Sequence, residues 1–572
     1  MPGRSLTLIL ATVMALGSFA PAQAAGVSGS YLAARQASFL GDYTQAAEYY
    51  SRALQHDPEN GQLLERGVLA FLSLGDVARA QALADQIEQA GLSSQLAFMA
   101  QLVAAARDEQ YASIIERIEA DKGIGPLVDG LMLAWSRLGD GDMSGALVGF
   151  DEVAKEPGLS GFAMYHKALA LASVGDFESA EALFAAEAAG AMQMTRRGVV
   201  ARSEIMAQLG QREEAVQLID SSFGSDLDPE LTQLRSALLL DGDLPYRHVR
   251  SARDGVAEVF FTLAGALSNE ADDDYTLLYA RMAVFIRPDH IDAVLMSADL
   301  LDQLGQYDLA VKTYKLVPRD HPSFHAAELG RADALRGDDK VEAAVEVLES
   351  LAQTHGDLAV VQSTLGDVMR ILKRFDEATQ AYDRALATFD SPSRAQWFLY
   401  YARAISHERQ GSWDAAEADF RAALDLNPDQ PQVLNYLGYS LVERQEKLDE
   451  ALDMIQRAAA AQPQSGYIVD SLGWVLYRLG RYDEAVVHME RAAELMPVDP
   501  VVNDHLGDVY WAVGRELEAQ FQWKRALSFV DEEDESGDAD PVRIRGKLAR
   551  GLDAVLAEEG APPLVRVAND DG

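Results

Sequence analysis

The stretch "SLGWVLYRLGRYDEAVVHMERA", from Ser471 to Ala492, places small and large apolar residues at spacings that return elsewhere in the chain. Small residues stand at Gly473 and Ala485, with Gly480 between them. On either side of Gly480 the apolar positions recur every three or four residues, which is typical of amphipathic helices. Glycine between two such segments indicates a turn. The stretch therefore predicts one helical hairpin.

The same pattern returns at nearly constant intervals along the second half of the chain. The small residue of the first helix recurs in steps of 34 residues, apart from one step of 38 and one of 35, at Ala298, Ala332, Gly366, Ala404, Gly438, Gly473 and Gly507. Many units end near a proline, which cannot continue a helix. A single hairpin cannot bury its own apolar face, so successive hairpins must stack.

This spacing resembles the tetratricopeptide repeat family. The resemblance continues upstream with more variation, and a good first unit contains Ala34, Ala46, Tyr50, Ala53 and Pro58. It implies an all-α, tetratricopeptide-type helical-hairpin solenoid of about fourteen units with a C-terminal capping helix. In such an array only glycine or alanine fits where the two helices of a unit cross.

Changes in composition and register divide the chain into segments. The stretch "DGDLPYRHV" does not follow the repeat, and "DEEDESGDAD" is charged without apolar periodicity. The basic residues near the C-terminus favour a solvated outer helix face, at Arg543, Arg545, Lys547 and Arg550. We predict a signal peptide at 1–24, an N-terminal repeat superhelix at 27–230, an irregular junction at 231–256, a C-terminal repeat superhelix at 257–533, an acidic linker at 534–541, a capping helix at 542–559 and a tail at 560–572.

The first residues have the pattern of a cleavable export signal. Arg4 supplies a positive charge, Leu6 to Phe19 is apolar, and Ala22-Gln23-Ala24 offers small residues for signal peptidase. The sequence contains 0 cysteines, which excludes disulfides and a lipid-anchoring lipobox, and this usage suits a periplasm. We expect a periplasmic protein with no lipid anchor and no integral membrane segment.

Charge and motifs limit the function classes. The net charge of −41 repels phosphate backbones and disfavours nucleic acid as a partner. It favours either acidic solubilisation or the steering of a basic protein partner. The sequence shows no catalytic, metal-binding or cofactor-binding motif, so we predict a non-enzymatic protein that needs no cofactor. Proteins or peptides are the expected partners, and homo-oligomerisation stays open.

The repeat register also predicts which side chains face a partner. In this architecture the first helix of each unit lines a concave groove, and large aromatics flanked by amides and charges suit an extended peptide. We predict a partner-binding groove of Phe398, Tyr401, Asn435, Tyr439, Tyr467, Asp470, Trp474, Tyr477, Arg478, Asp504, Asp508 and Trp511. The alternative is that some of these aromatics pack between neighbouring units. For Trp474 we expect a solvent-facing ring.

A narrower resemblance covers about residues 431–530. The segments "NYLGYSLVERQEKLDEALDMIQRA", "DSLGWVLYRLGRYDEA" and "DHLGDVYWAVGRELEAQFQWKRAL" resemble proteobacterial envelope repeat proteins. That family includes the lipoprotein adaptor of a periplasmic carboxy-terminal processing protease. The resemblance implies a scaffold that binds the protease and presents peptidoglycan hydrolases to it. The missing lipobox cysteine departs from the family, and an envelope-assembly scaffold without proteolysis is the alternative.

Overall fold

The computed structural model describes residues 27–187, 195–224, 227–240, 242, 244–530 and 539–564. The predicted signal peptide at 1–24 and most of the predicted acidic linker and tail lie outside these residues. All regular secondary structure in the described residues is helical, which confirms the all-α class.

The helices up to residue 354 have the following bounds: α1 (Val27–Phe39), α2 (Tyr43–His56), α3 (Gly61–Leu74), α4 (Val77–Gln89), α5 (Gln95–Arg107), α6 (Tyr111–Glu119), α7 (Pro126–Gly139), α8 (Met143–Lys155), α9 (Ser160–Ser173), α10 (Phe177–Glu187), α11 (Arg196–Gln208), α12 (Arg212–Phe223), α13 (Pro229–Leu239), α14 (Ala252–Leu267), α15 (Asp273–Ile286), α16 (Ile291–Gln303), α17 (Tyr307–Tyr314), α18 (Phe324–Gly337) and α19 (Val341–Thr354).

The later helices are α20 (Ala359–Ile371), α21 (Phe375–Ala387), α22 (Trp397–Arg409), α23 (Trp413–Leu426), α24 (Pro431–Glu443), α25 (Leu448–Ala461), α26 (Gly466–Arg478), α27 (Tyr482–Leu495), α28 (Pro500–Ala512), α29 (Glu516–Phe529), α30 (Pro541–Arg550) and α31 (Leu552–Glu558). A short 3-10 turn, Arg394–Gln396, precedes α22. Among the described residues, fourteen successive helix pairs run from α1 to α29, and α13 is an additional helix between two of them.

The small signature residues lie where the two helices of a hairpin cross. A Cβ atom on Gly473 would overlap Met489, and one on Gly507 would overlap Trp523. Gly480 has a φ of 74°, a left-handed conformation that glycine adopts without strain and that ends α26. The hairpin predicted from this stretch is confirmed.

The chain divides into two compact units between Leu348 and Glu349, inside α19. The predicted junction at 231–256 is therefore wrong as a boundary, because it lies within the first unit. Its irregular part is short, between the end of α13 at Leu239 and the start of α14 at Ala252. The helices after it do not begin a separate array, because they pack against earlier helices of the same unit.

In the first unit, α14 and α15 cover the first helices of the N-terminal hairpins. α14 packs against α7 and α9, and α15 packs against α3 and α5. Gly255 of α14 lies so close to Trp135 of α7 that a Cβ atom would overlap the indole ring. Residues are buried on every side of both helices, which is typical of helices inside a core.

A buried polar cluster fastens α14 in this position. The Glu258 carboxylate is fully buried and accepts hydrogen bonds from Tyr165 Oη at 2.9 Å, Arg197 Nη2 at 2.6 Å and His290 Nε2 at 3.1 Å. These donors lie on or beside α9, α11 and α16. Burial raises the pKa of Glu258, but the Arg197 guanidinium and the adjoining histidines outweigh it, so the net shift is downward. Burying a charge is tolerated here because each oxygen is paired.

The second unit ends in two helices instead of the single capping helix predicted at 542–559. The break lies at Gly551, whose φ of 83° ends α30 and whose Cβ atom would stand 2.6 Å from the Trp511 ring. Ile544, Leu552 and Val555 form the buried apolar face of this segment. The helices thus pack onto the last repeat units.

Candidate functional site

The predicted groove residues lie on four first helices of the second unit, and the structure separates nine of the twelve into two groups. Phe398 and Tyr401 lie on α22, Asn435 and Tyr439 on α24, Tyr467, Asp470, Trp474, Tyr477 and Arg478 on α26, and Asp504, Asp508 and Trp511 on α28. We call the first group the open cleft, which Asn435, Tyr439, Tyr467 and Asp470 line. The second group is the covered end, formed by Trp474, Tyr477, Asp504, Asp508 and Trp511.

The open cleft has a volume of about 590 Å³. Asn435, Tyr439, Tyr467 and Asp470 share its lining with residues that the groove prediction omitted, among them Glu408, Trp413, Tyr436 and Met496. Trp413 was missed because it begins α23, a second helix, whereas the repeat register assigns only first helices to the groove. A large aromatic residue directly after the inter-helix turn is a sequence feature that could have added Trp413 to the groove prediction.

Two buried polar atoms of the open cleft have no hydrogen-bond partner. They are Asn435 Oδ1, an acceptor, and Trp413 Nε1, a donor, and both residues are only 8% exposed. An unpaired buried polar atom costs on the order of 1–3 kcal/mol, so such atoms call for a ligand or water. A donor and an acceptor in one cleft match the carbonyl and the N–H of a peptide backbone.

The aromatic side chains around the open cleft differ in exposure. Tyr467 is 48% exposed and stands on the rim. Tyr401 is half-buried, with its ring 6.1 Å from those of Phe420 and Tyr436, so it supports the wall. Phe398 is exposed but does not line the cleft. Of the aromatics in the groove prediction, Tyr467 and Tyr439 are therefore the ones placed to meet a ligand there.

At the covered end, Trp474 and Tyr477 are packed inside the unit. Trp474 is 7% exposed, and its ring stacks on His505 at 3.9 Å and on Tyr477 at 4.8 Å. Its Nε1 atom donates a hydrogen bond to Glu443 at 2.6 Å, and Arg478 lies 3.6 Å from the same carboxylate. The expectation of a solvent-facing Trp474 ring is wrong, because the next first helix supplies His505 to cover it.

Asp504 and Asp508, the last two carboxylates of the predicted groove, bind a lysine from helix α30 near the C-terminus. Lys547 Nζ donates to Asp504 at 2.8 Å and to Asp508 at 2.6 Å, and Lys547 is 1% exposed. Arg543 adds an ion pair to Asp508 at 3.4 Å. The predicted solvated basic face is therefore wrong for these two residues. Trp511 donates to Asp553 of α31 at 3.1 Å, so it too faces the C-terminal helices.

His505 is a buried histidine between the two parts of the groove. Its Nδ1 atom lies 3.0 Å from Asp470, a residue of the open cleft. Burial lowers the pKa of His505, but Asp470 and the nearby Asp504 and Asp508 outweigh it, so the pKa is raised above its ordinary value. His505 thus links the stacked Trp474 ring to Asp470.

Neither a metal site nor a membrane span is found in the part of the chain that the structure describes. No group of three or more histidine, aspartate or glutamate side chains there could hold a metal ion. No helix among the same residues combines the length and apolarity needed to cross a bilayer.

Comparison with known families identifies tetratricopeptide repeats in the chain. One family of these repeats matches residues 31–95, 295–357 and 401–466, and a second matches residues 469–497. The ranges 401–466 and 469–497 contain most of the open cleft and all of α26 except Tyr467 and Ile468. These matches support the repeat family that the spacing of small residues had suggested.

Individual proteins show more limited similarity. A TPR repeat-containing protein of Pseudomonas aeruginosa is 27% identical over 159 residues, which is 28% of this chain and 26% of that protein's length. Among solved structures, the Cut9–Hcn1 hetero-tetramer of the APC/C is 16% identical with a TM-score of 0.38, covering 92% of this chain and 96% of its own. Yeast Tom70 is 13% identical with a TM-score of 0.35, covering 93% and 96%. Both TM-scores are low, and we draw no conclusion about this chain from either structure.

Proposed function

We propose that this chain, whose tetratricopeptide repeats indicate a protein-interaction scaffold, is a non-enzymatic scaffold of the periplasm. Its open cleft holds an extended segment of a partner protein. The periplasmic location is supported by the export pattern of residues 1–24 and by the absence of cysteine from the sequence.

The unpaired polar atoms of the open cleft carry this proposal. A bound main chain would donate its N–H to Asn435 Oδ1 and accept a hydrogen bond from Trp413 Nε1, once small side-chain movements expose these two shielded atoms. The exposed Tyr467 ring supplies apolar area in the same cleft. Backbone hydrogen bonds combined with aromatic contact give affinity for an extended peptide without a demand for one sequence.

We further propose that the scaffold is an adaptor. In this role it presents peptidoglycan hydrolases to a carboxy-terminal processing protease. The support is the resemblance of residues 431–530 to envelope adaptor proteins, a region that includes most of the open cleft.

A second candidate is an envelope-assembly scaffold that works without proteolysis. The observation in its favour is the absence of cysteine, since the adaptor lipoproteins carry their acyl chains on that residue. This candidate uses the same open cleft for components of the outer-membrane or cell-wall machinery.

The test is capture of partners from a periplasmic extract by the purified chain and its variants. Asn435→Ala and Tyr467→Ala should each reduce recovery of a specific partner at least tenfold, about 1.4 kcal/mol of binding free energy. Phe521→Ala is the matched control, because Phe521 is 74% exposed and lies on α29, away from the cleft lining. Equal capture by all variants would remove the open cleft from the proposal.

The identity of the recovered partner separates the two candidates. A processing protease that is lost with Asn435→Ala supports the adaptor, whereas assembly components with the same dependence support the alternative. N-terminal sequencing of the protein from its native cells tests export, and an intact Met1 in a cytoplasmic fraction would contradict the periplasmic location.

A further inference from the structure

We propose that the covered end of the groove is a recognition site for a lysine-bearing amphipathic helix of a partner protein. In the free chain α30 occupies this site, so the chain is its own competitor. The inference goes beyond the open cleft, because it concerns different residues and a helical ligand in place of an extended one.

The geometry of α30 shows what the site accepts. Ile544 and Lys547 are three residues apart, hence on one helix face, and both are buried. Asp504 and Asp508 are four residues apart on α28, so both carboxylates reach the single Lys547 ammonium. The site therefore combines an apolar contact with a two-carboxylate socket one helical turn away.

The charge of α30 stands out against the rest of the chain. Its sequence, PVRIRGKLAR, has three arginines, one lysine and no carboxylate, whereas the whole chain carries a net charge of −41. Burial and the neighbouring Asp508 raise the pKa of Asp504, although Lys547 opposes the shift. A helix without a cation at this position would leave both buried carboxylates without the ammonium that they share, which is unfavourable even though Arg543 also lies near them. The socket therefore selects for a lysine.

The packing of α30 and α31 is that of an appended element. They contain ten and seven residues, lengths at which an isolated helix is marginal in water. The helices below them, α26 to α29, pack against one another as complete hairpins. α30 belongs to the same chain as its site, and an intramolecular ligand of this kind is present at an effective concentration on the order of 1 mM. A partner helix with higher affinity, or one supplied by a larger interface, can therefore displace it.

The test uses the full chain and a fluorescent synthetic peptide with the sequence of residues 539–564, followed by fluorescence anisotropy. The wild-type chain should bind this peptide weakly, because its own α30 fills the site. Lys547→Ala weakens the internal helix, so that chain should bind the peptide at least tenfold more tightly. Lys524→Ala is the matched control, since Lys524 is an exposed lysine on α29.

A second peptide, with alanine in place of its lysine, tests the socket itself. It should bind the Lys547→Ala chain at least tenfold more weakly than the lysine peptide. The proposal is overturned if the folded Lys547→Ala chain takes neither peptide, or takes both equally. Circular dichroism establishes that the chain is folded.

A variant with no charges in the socket controls for a local folding defect caused by Lys547→Ala. The variant with Asp504→Asn, Asp508→Asn and Lys547→Met removes all three charges, and it should lose the preference for the lysine peptide. A retained preference would contradict the role of the carboxylates. Because neither Asn435 nor Tyr467 enters these measurements, failure here leaves the proposed open cleft standing, and failure of the cleft leaves this site standing.

Discussion

The two units use the inner face of the same repeat in different ways. In the first unit the first helices are covered by α14 and α15, a hairpin from the middle of the chain that is buried on every side. In the second unit only the C-terminal end is covered, by the short helices α30 and α31, and the open cleft remains beside it. The same helix face thus serves as core in one unit and as the proposed binding surface in the other.

The polar groups at the two covered faces show this difference in detail. Glu258 of the first unit is paired with donors from three other parts of the unit, so removing α14 would strand several charges. Lys547 of the second unit is paired with two carboxylates of one helix. The covering helices α14 and α15 are thus part of the core of the first unit, whereas α30 and α31 pack onto the end of the second.

The largest expected effect comes from breaking the polar cluster of the first unit. Glu258→Ala should lower the free energy of unfolding by about 3–5 kcal/mol, because the Arg197 guanidinium, whose side chain is only 15% exposed, loses the carboxylate to which it donates two hydrogen bonds. Urea denaturation followed by circular dichroism measures the loss. The exposed Glu484→Ala in the second unit is the control and should leave the midpoint unchanged. Similar midpoints for both variants would show that α14 is not held by this cluster.

Trp474→Ala should cost the second unit about 3 kcal/mol, the usual range for removal of a buried tryptophan. The reason is the loss of the stacking on His505 and Tyr477 and of the hydrogen bond to Glu443. Thermal unfolding is the measurement. An unchanged melting temperature would instead show that the ring is free to face a partner.

Acidification should affect the two units in opposite directions. In the first unit, burial lowers the pKa of His166 and of His248 to about 4 and also lowers that of His290. The unfolded chain binds these protons more readily, so stability is complete above the unfolded pKa of about 6.5 and falls as the pH drops towards 4. The expected slope within that window is roughly 1.4 kcal/mol per pH unit for each histidine.

The contribution of His505 to the stability of the second unit depends on pH in the opposite direction. Its raised pKa stabilises the folded state below the unfolded pKa of about 6.5, and this contribution is lost as the pH rises through the folded value. Hydrogen exchange read by mass spectrometry at pH 5.5 and 7.5, corrected for intrinsic rates, should show α14 losing protection at the lower pH. α26 should gain protection there. Parallel changes in the two helices would contradict the assignment.

The smallest effect is expected at the open cleft. Tyr467→Ala should change the free energy of unfolding by less than about 0.5 kcal/mol, because its ring is half exposed and packs little. Thermal unfolding beside Trp474→Ala gives the comparison within one helix. A large loss from Tyr467→Ala would mean that the rim of the cleft is structural.

The sequence by itself determined the helical hairpin and its repetition. A crossing such as that of Gly473 with Met489 joins residues sixteen apart, and close backbone approach demands a small residue each time. The same register also placed Asn435, Tyr439, Tyr467 and Asp470 on the helices that line the open cleft. These constraints are local, so they can be predicted without knowledge of the rest of the chain.

Only the tertiary structure decided which inner faces are covered. Gly255 lies against Trp135, and Lys547 lies against Asp504, at sequence separations that no repeat period specifies. An apolar residue on a first helix gives the same sequence pattern whether a partner or another part of the chain covers it. Trp474 and Tyr467 lie on the same face of α26. His505, from the first helix of the next repeat, covers Trp474 and leaves Tyr467 exposed. That outcome depends on long-range packing, which local spacing does not encode.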